Sequence, residues 1–110
     1  MEIKSPILYC CYNRIANVKK SISILKNIYC PKIYIALDGP KNQNDDVKKC
    51  LEVKKFIQES KFNSKVVYLI RSKNLGFKKA IAYSIDWFFE KENKGIILED
   101  DLIPCDEFFK

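Results

Sequence analysis

Four short apolar runs divide the chain, and longer stretches of mixed polarity separate them. The runs are four to six residues long and rich in β-branched and aromatic residues, and they cover residues 7–11, 32–37, 66–70 and 95–98. Because their apolarity is continuous rather than alternating, they are typical of strands covered on both faces, as in a parallel sheet. The pattern therefore predicts four buried strands.

Each intervening stretch repeats apolar residues every three or four positions, which predicts an amphipathic helix. In the first stretch these positions are Ile15, Val18, Ile22, Leu25 and Ile28. In the second stretch they are Val47, Cys50, Leu51 and Ile57. We expect Asn44, Asp45 or Asp46 to cap the second helix, because short polar side chains accept hydrogen bonds from free helix N–H groups.

The third stretch carries the clearest helical pattern. Its predicted apolar face comprises Phe77, Ala80, Ile81, Ser84, Ile85 and Phe88, widened by Trp87 and Phe89. Residues 74–76 mark its start, and the polar turn at residues 92–95 marks its end. The resulting order, β-α-β-α-β-α-β, predicts a Rossmann-like α/β fold in which helices flank a mostly parallel sheet.

Length and composition narrow the class of protein. The chain has 110 residues, of which 47% are hydrophobic, so we expect one globular domain spanning residues 1–110. No apolar run approaches the ~18 residues that would cross a bilayer, and no transmembrane segment is predicted. The chain contains no histidine, which excludes His-ligated zinc sites and Ser–His catalytic triads.

The five cysteines are interpreted as small apolar side chains of a reduced, cytoplasmic protein. They are Cys10, Cys11, Cys30, Cys50 and Cys105, and no C-x-x-C spacing occurs among them. A nucleophilic cysteine would need a histidine partner, which the chain lacks. A cytoplasmic protein that associates with the membrane surface is the alternative to one free in the cytoplasm.

The net charge of +6 is unevenly distributed along the chain. Residues 1–98 carry 19 Lys and Arg against 9 Asp and Glu, whereas residues 99–110 carry one Lys against five acids. The excess of Lys and Arg in residues 1–98 favours an anionic partner such as a nucleotide, a nucleic acid or a membrane surface. The same excess is equally compatible with lysines that only keep the surface hydrated. Nucleic-acid binding rests on charge alone, without a recognisable motif, and is not expected.

Polar residues follow each predicted strand. Ligands of open parallel sheets bind at the carboxyl ends of the strands, so these residues are the candidate site. They are Asn13 and Arg14 after the first strand, Asp38 after the second, Arg71 and Asn74 after the third, and Glu99, Asp100 and Asp101 after the fourth. We expect all four groups to converge at one edge of the sheet.

The run Glu99-Asp100-Asp101 suggests a cation site. Three adjacent carboxylates repel one another, and a divalent cation would relieve that repulsion. Mg²⁺ and Mn²⁺ prefer such oxygen ligands and take further ligands from phosphates and water. The alternative is a solvated acidic turn before Pro104.

The start of the third helix suggests a phosphate site. A helix N-terminus offers free N–H groups and the positive end of the helix dipole. Lys78 and Lys79 lie in its first turn, where a bound phosphate would offset the unfavourable placement of two cations; the alternative is that both point to water. Arg14 and Arg71 are the only arginines, and each follows a strand, which favours specific contacts to an anion.

Four segments together resemble the nucleotide-sugar half of GT-A glycosyltransferases, especially the N-acetylglucosaminyltransferase I type and its bacterial family 2 relatives. The segments are residues 6–14, residues 38–39, residues 71–76 and residues 95–101. In that family Glu-Asp-Asp is a form of the Asp-x-Asp motif, followed by an apolar residue, a proline and a Phe-Phe pair. The matching residues here are Leu102, Pro104, Phe108 and Phe109.

The resemblance implies roles for the acidic run. Asp101 would ligate Mn²⁺ or Mg²⁺, which bridges the diphosphate of a nucleoside diphosphate sugar, most simply a UDP-sugar. Asp100 would contact the ribose or the sugar, and Glu99 would orient the donor sugar or the waters of the metal. The metal would act as a Lewis acid on the leaving nucleoside diphosphate.

The resemblance also implies roles for the other strand ends. Asp38 would bind a uracil-type base, and Arg14 would bind the nucleotide. Asn13, Arg71 and Asn74 would lie close to the donor. These expectations place the whole donor site on the loops that follow the strands.

GT-A enzymes have a second half that binds the acceptor and, in inverting members, supplies a carboxylate base. We therefore expect residues 1–110 to be the donor-binding portion of a longer transferase of polysaccharide biosynthesis, with the base and the glycan or lipid-linked acceptor site elsewhere. The alternative is a non-catalytic α/β module that binds a nucleotide or protein, such as a receiver-like domain. A receiver needs an acidic pair after its first strand, where this chain has Tyr12, Asn13 and Arg14.

Overall fold

A computed structural model describes residues 2–101 as four strands and three helices. The strands are β1 (Ile7–Cys11), β2 (Ile33–Leu37), β3 (Val66–Ile70) and β4 (Ile96–Glu99), and the helices are α1 (Ile15–Leu25), α2 (Asn44–Glu59) and α3 (Phe77–Phe89). The predicted alternation is confirmed, and each strand begins and ends within one residue of its predicted limits. The sequence also suggests a helix start at residues 105–109, which lie outside the described residues.

The sheet is entirely parallel, in the order β3-β2-β1-β4. The chain moves outward from β1 to β2 and β3, then crosses back to place β4 on the other side of β1. This is the Rossmann-like order, which confirms the predicted fold class. A receiver-type sheet runs 2-1-3-4-5, so the topology gives no support to the receiver-like alternative.

The helices cover the sheet on both faces. Helices α1 and α2 pack over one face, where the core includes Ile7, Tyr9, Ile22, Ile35, Val53 and Ile57. Helix α3 packs over the other face, where the core includes Leu8, Cys10, Tyr34, Ala36 and Phe88. Successive residues of a strand point to opposite faces, and every position of the central strands β1 and β2 is buried. The edge strands β3 and β4 are mostly only partly buried, and Tyr68 of β3 is exposed, so the predicted burial is confirmed for two strands and wrong in extent for the other two.

The predicted stripe of α2 is partly wrong. Val47 and Leu51 are 36% and 57% exposed, whereas Val53 is fully buried. The buried side of α2 instead runs through Asp46, Cys50, Val53 and Ile57. A carboxylate therefore occupies the first inward position of the helix. Gln43 precedes the helix as N-cap, and no side chain caps it, so the predicted cap by residues 44–46 is also wrong.

The predicted face of α3 is largely confirmed, but its two ends are exposed. Ala80, Ser84 and Phe88 are buried, whereas Phe77 and Phe89 are 70% and 42% exposed. Phe77 and Phe89 are the first and last residues of the helix.

The cysteines of the described residues pack as predicted. Cys10, Cys11 and Cys50 are buried, Cys30 is partly buried, and none of the four is in a disulfide. Burial raises the pKa of the Cys10 thiol to about 11 and that of the Cys50 thiol to about 11, and both remain protonated at neutral pH. Within residues 2–101, no helix has the length and apolarity that a membrane crossing requires.

The turn between α3 and β4 has room only for glycine at residue 95. A Cβ at Gly95 would overlap the ring of Phe88 and lie 2.9 Å from the carbonyl oxygen of Pro6. Phe88 is fully buried and packs edge-on against Tyr34, so its ring has no free space to move into. We expect Gly95→Ala to lower the free energy of unfolding by about 1–3 kcal/mol, measured by urea denaturation.

Asn93→Ala is the control for this substitution, because Asn93 is exposed in the same turn. It should change the stability by less than about 0.5 kcal/mol. Equal stability of the Gly95→Ala variant and the parent would show that the described packing of Phe88 is incorrect.

Candidate functional site

A cavity of about 290 Å³ opens at the carboxyl ends of the strands. It lies at the switch point between β1 and β4, where the strand order changes direction across the sheet. Ligands of open α/β sheets bind at this point. Seven of the eight residues predicted from the sequence line it, namely Arg14, Asp38, Arg71, Asn74, Glu99, Asp100 and Asp101. Asn13 is not among the lining residues. The structure therefore brings the ends of all four strands to one cavity.

Asp38 ties the end of β2 to the loop that follows β3. The side chain is 6% exposed. Its Oδ1 accepts hydrogen bonds from the backbone N–H groups of Gly39 and Leu75, at 2.9 and 3.0 Å. Its Oδ2 accepts one from Nδ2 of Asn74 at 3.1 Å, and the same amide donates to the carbonyl of Gly39 at 3.0 Å. Asp38 and Asn74 thus support each other within the cavity wall.

Two glycines permit this arrangement. A Cβ at Gly39 would lie 2.5 Å from the backbone nitrogen of Lys73, so only glycine allows the two loops to approach so closely. Gly76 has φ 85° and ψ 155°, a conformation that is essentially restricted to glycine. It precedes α3, whose N-terminus has no side-chain cap. The free N–H groups of the first turn of α3 therefore lie beside the cavity.

Arg71 reaches from the end of β3 to α3. Its Nη1 donates a hydrogen bond to Oγ of Ser84 at 3.1 Å, and Ser84 donates in turn to the carbonyl of Ala80 at 2.6 Å. Ser84 is 1% exposed. No carboxylate pairs with Arg71 among residues 2–101, where the one ion pair joins Lys49 to Asp45. The guanidinium therefore keeps donors available for an anion in the cavity.

Asp46 joins the loops that follow β1 and β2. Its carboxylate accepts hydrogen bonds from the hydroxyl of Tyr12, from Nδ2 of Asn13 at 2.7 Å and from the backbone N–H of Lys41 at 2.6 Å. Burial acts to raise the pKa of Asp46, but these hydrogen bonds outweigh it and hold the pKa below its usual value. Asn13, predicted to lie near the donor, is therefore directed to Asp46 instead of the cavity.

The three carboxylates of residues 99–101 lie in different environments. Glu99 is the last residue of β4 and pairs in register with Cys10, Asp100 is partly buried, and Asp101 is exposed. Burial raises the pKa of Asp100, the charges of Asp101 and Glu99 act in the same direction, and the Arg14 guanidinium opposes them. Arg14 and the acidic run thus line the same cavity, as predicted, without forming an ion pair among the described residues.

Within residues 2–101, no three Asp, Glu, Cys or His side chains are close enough to hold a metal ion by themselves. The carboxylates of Glu99, Asp100 and Asp101 are hard oxygen donors on one rim of the cavity, so their chemistry fits Mg²⁺ or Mn²⁺. An ion at this rim would need further oxygen ligands from a phosphate or from water, as is usual for Mg²⁺.

The wall that α3 contributes is mainly apolar. Phe77, Ala80 and Ile81 line it, opposite the polar loops after β1 and β2. Phe77 is the most exposed large apolar side chain among the described residues, at 70%. The cavity therefore combines charged groups with a flat apolar surface, as small-molecule sites usually do.

Sequence reasoning omitted several residues that shape the cavity. They are Lys41, Phe77 and Ser84 in its lining and Asp46 behind it, whereas Tyr12 lines the cavity as expected of a residue that follows the first strand. Ser84 was recognisable as a polar residue on a buried helix face. Asp46 was recognisable as an acid at an inward position of the α2 repeat. Lys41 and Phe77 show no pattern that separates them from other surface residues.

The Asp46 carboxylate is expected to stabilise the fold. The two oxygens of the Asp46 carboxylate together accept three hydrogen bonds, one at Oδ1 and two at Oδ2. In Asp46→Asn, an NH₂ group replaces one of these oxygens, so at least one donor loses its acceptor. We expect the free energy of unfolding at pH 7 to fall by about 1–3 kcal/mol, measured by urea denaturation. Asp86→Asn is the matched control, because Asp86 is exposed on α3. Equal stabilities of the two variants would contradict the described network.

The stability difference between the parent and Asp46→Asn should depend on pH. A carboxyl whose pKa is lowered by folding stabilises the protein above its unfolded pKa, and this contribution is lost as the pH falls through the folded value. The difference should therefore be constant above about pH 5 and shrink below about pH 4. Urea titrations at several pH values would measure it, and a constant difference down to pH 2 would show that the pKa of Asp46 is not lowered.

No protein-family model, curated protein sequence or solved structure matches this chain. The fold class is consequently shown by the sheet order and the helix layers. The ligand is inferred from the chemistry of the cavity.

Proposed function

We propose that the cavity binds a nucleoside diphosphate sugar together with Mn²⁺ or Mg²⁺, and that the chain is the donor-binding part of a GT-A-type glycosyltransferase. One observation carries the proposal. Two arginines and three adjacent carboxylates line one cavity at the switch point of a parallel sheet, and no arginine forms an ion pair with a carboxylate among residues 2–101. A diphosphate with a bound cation carries negative charge that suits the arginines and positive charge that suits the carboxylates.

The basic side of the cavity suits the phosphates. Arg71 has free donors beside Ser84, and Arg14 lies at the start of α1. Guanidinium groups donate forked hydrogen bonds that match phosphate oxygens. The uncapped N-terminus of α3 after Gly76 adds free N–H groups and a positive dipole end on the same side.

The acidic side suits the cation. Asp101 is the most accessible carboxylate of the run and is the proposed metal ligand, with Asp100 and Glu99 beside it for the ribose, the sugar or metal-bound water. The bound cation would neutralise negative charge on the departing nucleoside diphosphate. The positive charge of Arg14 acts on Asp100 and opposes the repulsion within the acidic run.

Asp38 is proposed to bind the nucleobase, although three of its hydrogen bonds are internal. A carboxylate has about four acceptor sites, so one remains after those bonds are formed. Because Leu75, Asn74 and Gly39 hold the carboxylate, it would meet a base N–H without first losing rotational freedom. Such a fixed acceptor favours a base that presents a ring N–H, as uracil does.

Complete transfer also requires an acceptor and a base that deprotonates its hydroxyl. We propose that a glycan or lipid-linked acceptor binds to another part of the transferase, which supplies this base. The reaction would belong to polysaccharide biosynthesis in the cytoplasm or at the cytoplasmic surface of the membrane. None of the described residues is assigned as the catalytic base.

Titration calorimetry with UDP in the presence and absence of Mn²⁺ tests the proposal. We expect Mn²⁺ to increase the affinity for UDP. In Asp101→Ala this metal-dependent increase should be smaller by about tenfold or more, because the metal loses a charged ligand. Asp86→Ala removes an exposed aspartate from α3, outside the cavity lining, and should bind as the parent does. Equal UDP affinity with and without Mn²⁺, or no binding at all, would reject the proposed function.

A further inference from the structure

The hydroxyl of Tyr9 is buried without a partner. Tyr9 is 0% exposed in the middle of β1 and belongs to the core beneath α1. Among residues 2–101, its oxygen is the one buried side-chain N or O atom that makes no hydrogen bond. A buried hydroxyl without a hydrogen-bond partner destabilises the folded state, and such hydroxyls are rare in native proteins.

The surroundings of this hydroxyl lead to the acidic run. Tyr9 pairs in register with Leu98, two residues before Asp100. Its hydroxyl lies beside Ser21, a fully buried residue of α1. Oγ of Ser21 is 3.2 Å from the backbone oxygen of Asp100 and donates mainly to the carbonyl of Asn17 at 2.7 Å. The two hydroxyls therefore lie directly beneath the acidic turn, on the side away from α3.

The Tyr9 hydroxyl is a donor at neutral pH. Burial raises the pKa of Tyr9 far above its usual value, and the nearby charge of Asp100 acts in the same direction. The hydroxyl thus keeps its proton and can stabilise a carboxylate that comes within reach. The carboxylate of Asp100 is partly buried, and no other side chain donates a hydrogen bond to it among the described residues. Asp100 follows β4, the strand that pairs with Tyr9 through Leu98.

We propose that Tyr9 is a positioning residue of the cavity, whose hydroxyl donates a hydrogen bond to the carboxylate of Asp100 when a nucleoside diphosphate and its cation are bound. The inference rests on the proposed function and extends it to a residue that touches neither ligand. Ser21 supports the same turn through the backbone of Asp100. Helix α1 and strand β1 would together set the position of the acidic run from below.

Tyr9→Phe separates this role from a purely structural one. The substitution removes only the oxygen, which makes no hydrogen bond among the described residues, so stability should be unchanged or increased. The affinity for UDP with Mn²⁺ should fall about tenfold, because a hydrogen bond to a charged group is lost. The affinity for UDP measured with EDTA should be unchanged. Calorimetry and urea denaturation measure these quantities.

Tyr34→Phe is the matched control. Tyr34 is an equally buried tyrosine, but its hydroxyl donates to Glu92 at 2.5 Å, and it does not line the cavity. Its loss should lower stability and leave the UDP affinity unchanged, which is the reverse of the Tyr9→Phe result. Ser21→Ala provides a second variant beneath the acidic turn and should weaken metal-dependent binding several-fold.

The outcomes distinguish the two proposals. If the parent binds UDP with Mn²⁺ and Tyr9→Phe binds equally well, Tyr9 has no positioning role and the proposed function stands. If Tyr9→Phe loses affinity and stability together, its role is structural and the inference is rejected. If the parent shows no metal-dependent binding, the proposed function fails, and the inference fails with it.

Discussion

Parallel pairing of β1 with both β2 and β4 is the constraint on which the architecture depends. Because both neighbours run in the same direction as β1, every connection must cross the sheet and return to the same end. The connections to β2 and β3 use α1 and α2 on one face, and the connection to β4 uses α3 on the other. The loops that follow β1 and β4 are consequently left uncovered between the two helix layers, and the cavity forms there.

Buried and exposed carboxylates have different roles at the carboxyl ends of the strands. Asp38 and Asp46 each accept three hydrogen bonds, most of them from neighbouring loops, and these bonds hold the loops together. The acids after β4 have few internal partners and keep their acceptor oxygens for other groups. A carboxylate that organises a loop is buried and surrounded by donors, whereas one that is free to bind a cation is exposed beside other acids. This contrast separates residues that look alike in the sequence.

The sequence was informative where burial on both faces dictated residue type. Continuous apolarity identified all four strands within one residue. The physical reason applies most fully to β1 and β2, because a central strand between two helix layers has no face left for polar side chains. It was less informative for α2, where Asp46 occupies an inward position and displaces the apparent stripe by part of a turn. Asn13 was predicted near the donor because it follows a strand, but a carboxylate 33 residues away binds its amide. Such long-range polar contacts leave no periodic trace in a sequence.

The hydrogen bonds of Asp38 and Asp46 have a consequence for transplanting this site. Asp46 links the loops after β1 and β2, and Asp38 links the loops after β2 and β3, so the three loops form one connected unit. Grafting any one of them into another scaffold would carry over donors or acceptors without their counterparts. The smallest portable piece is the set of all three loops with the first turns of α2 and α3. Loop exchange at this edge of the sheet is therefore a three-segment problem, even though each segment is short.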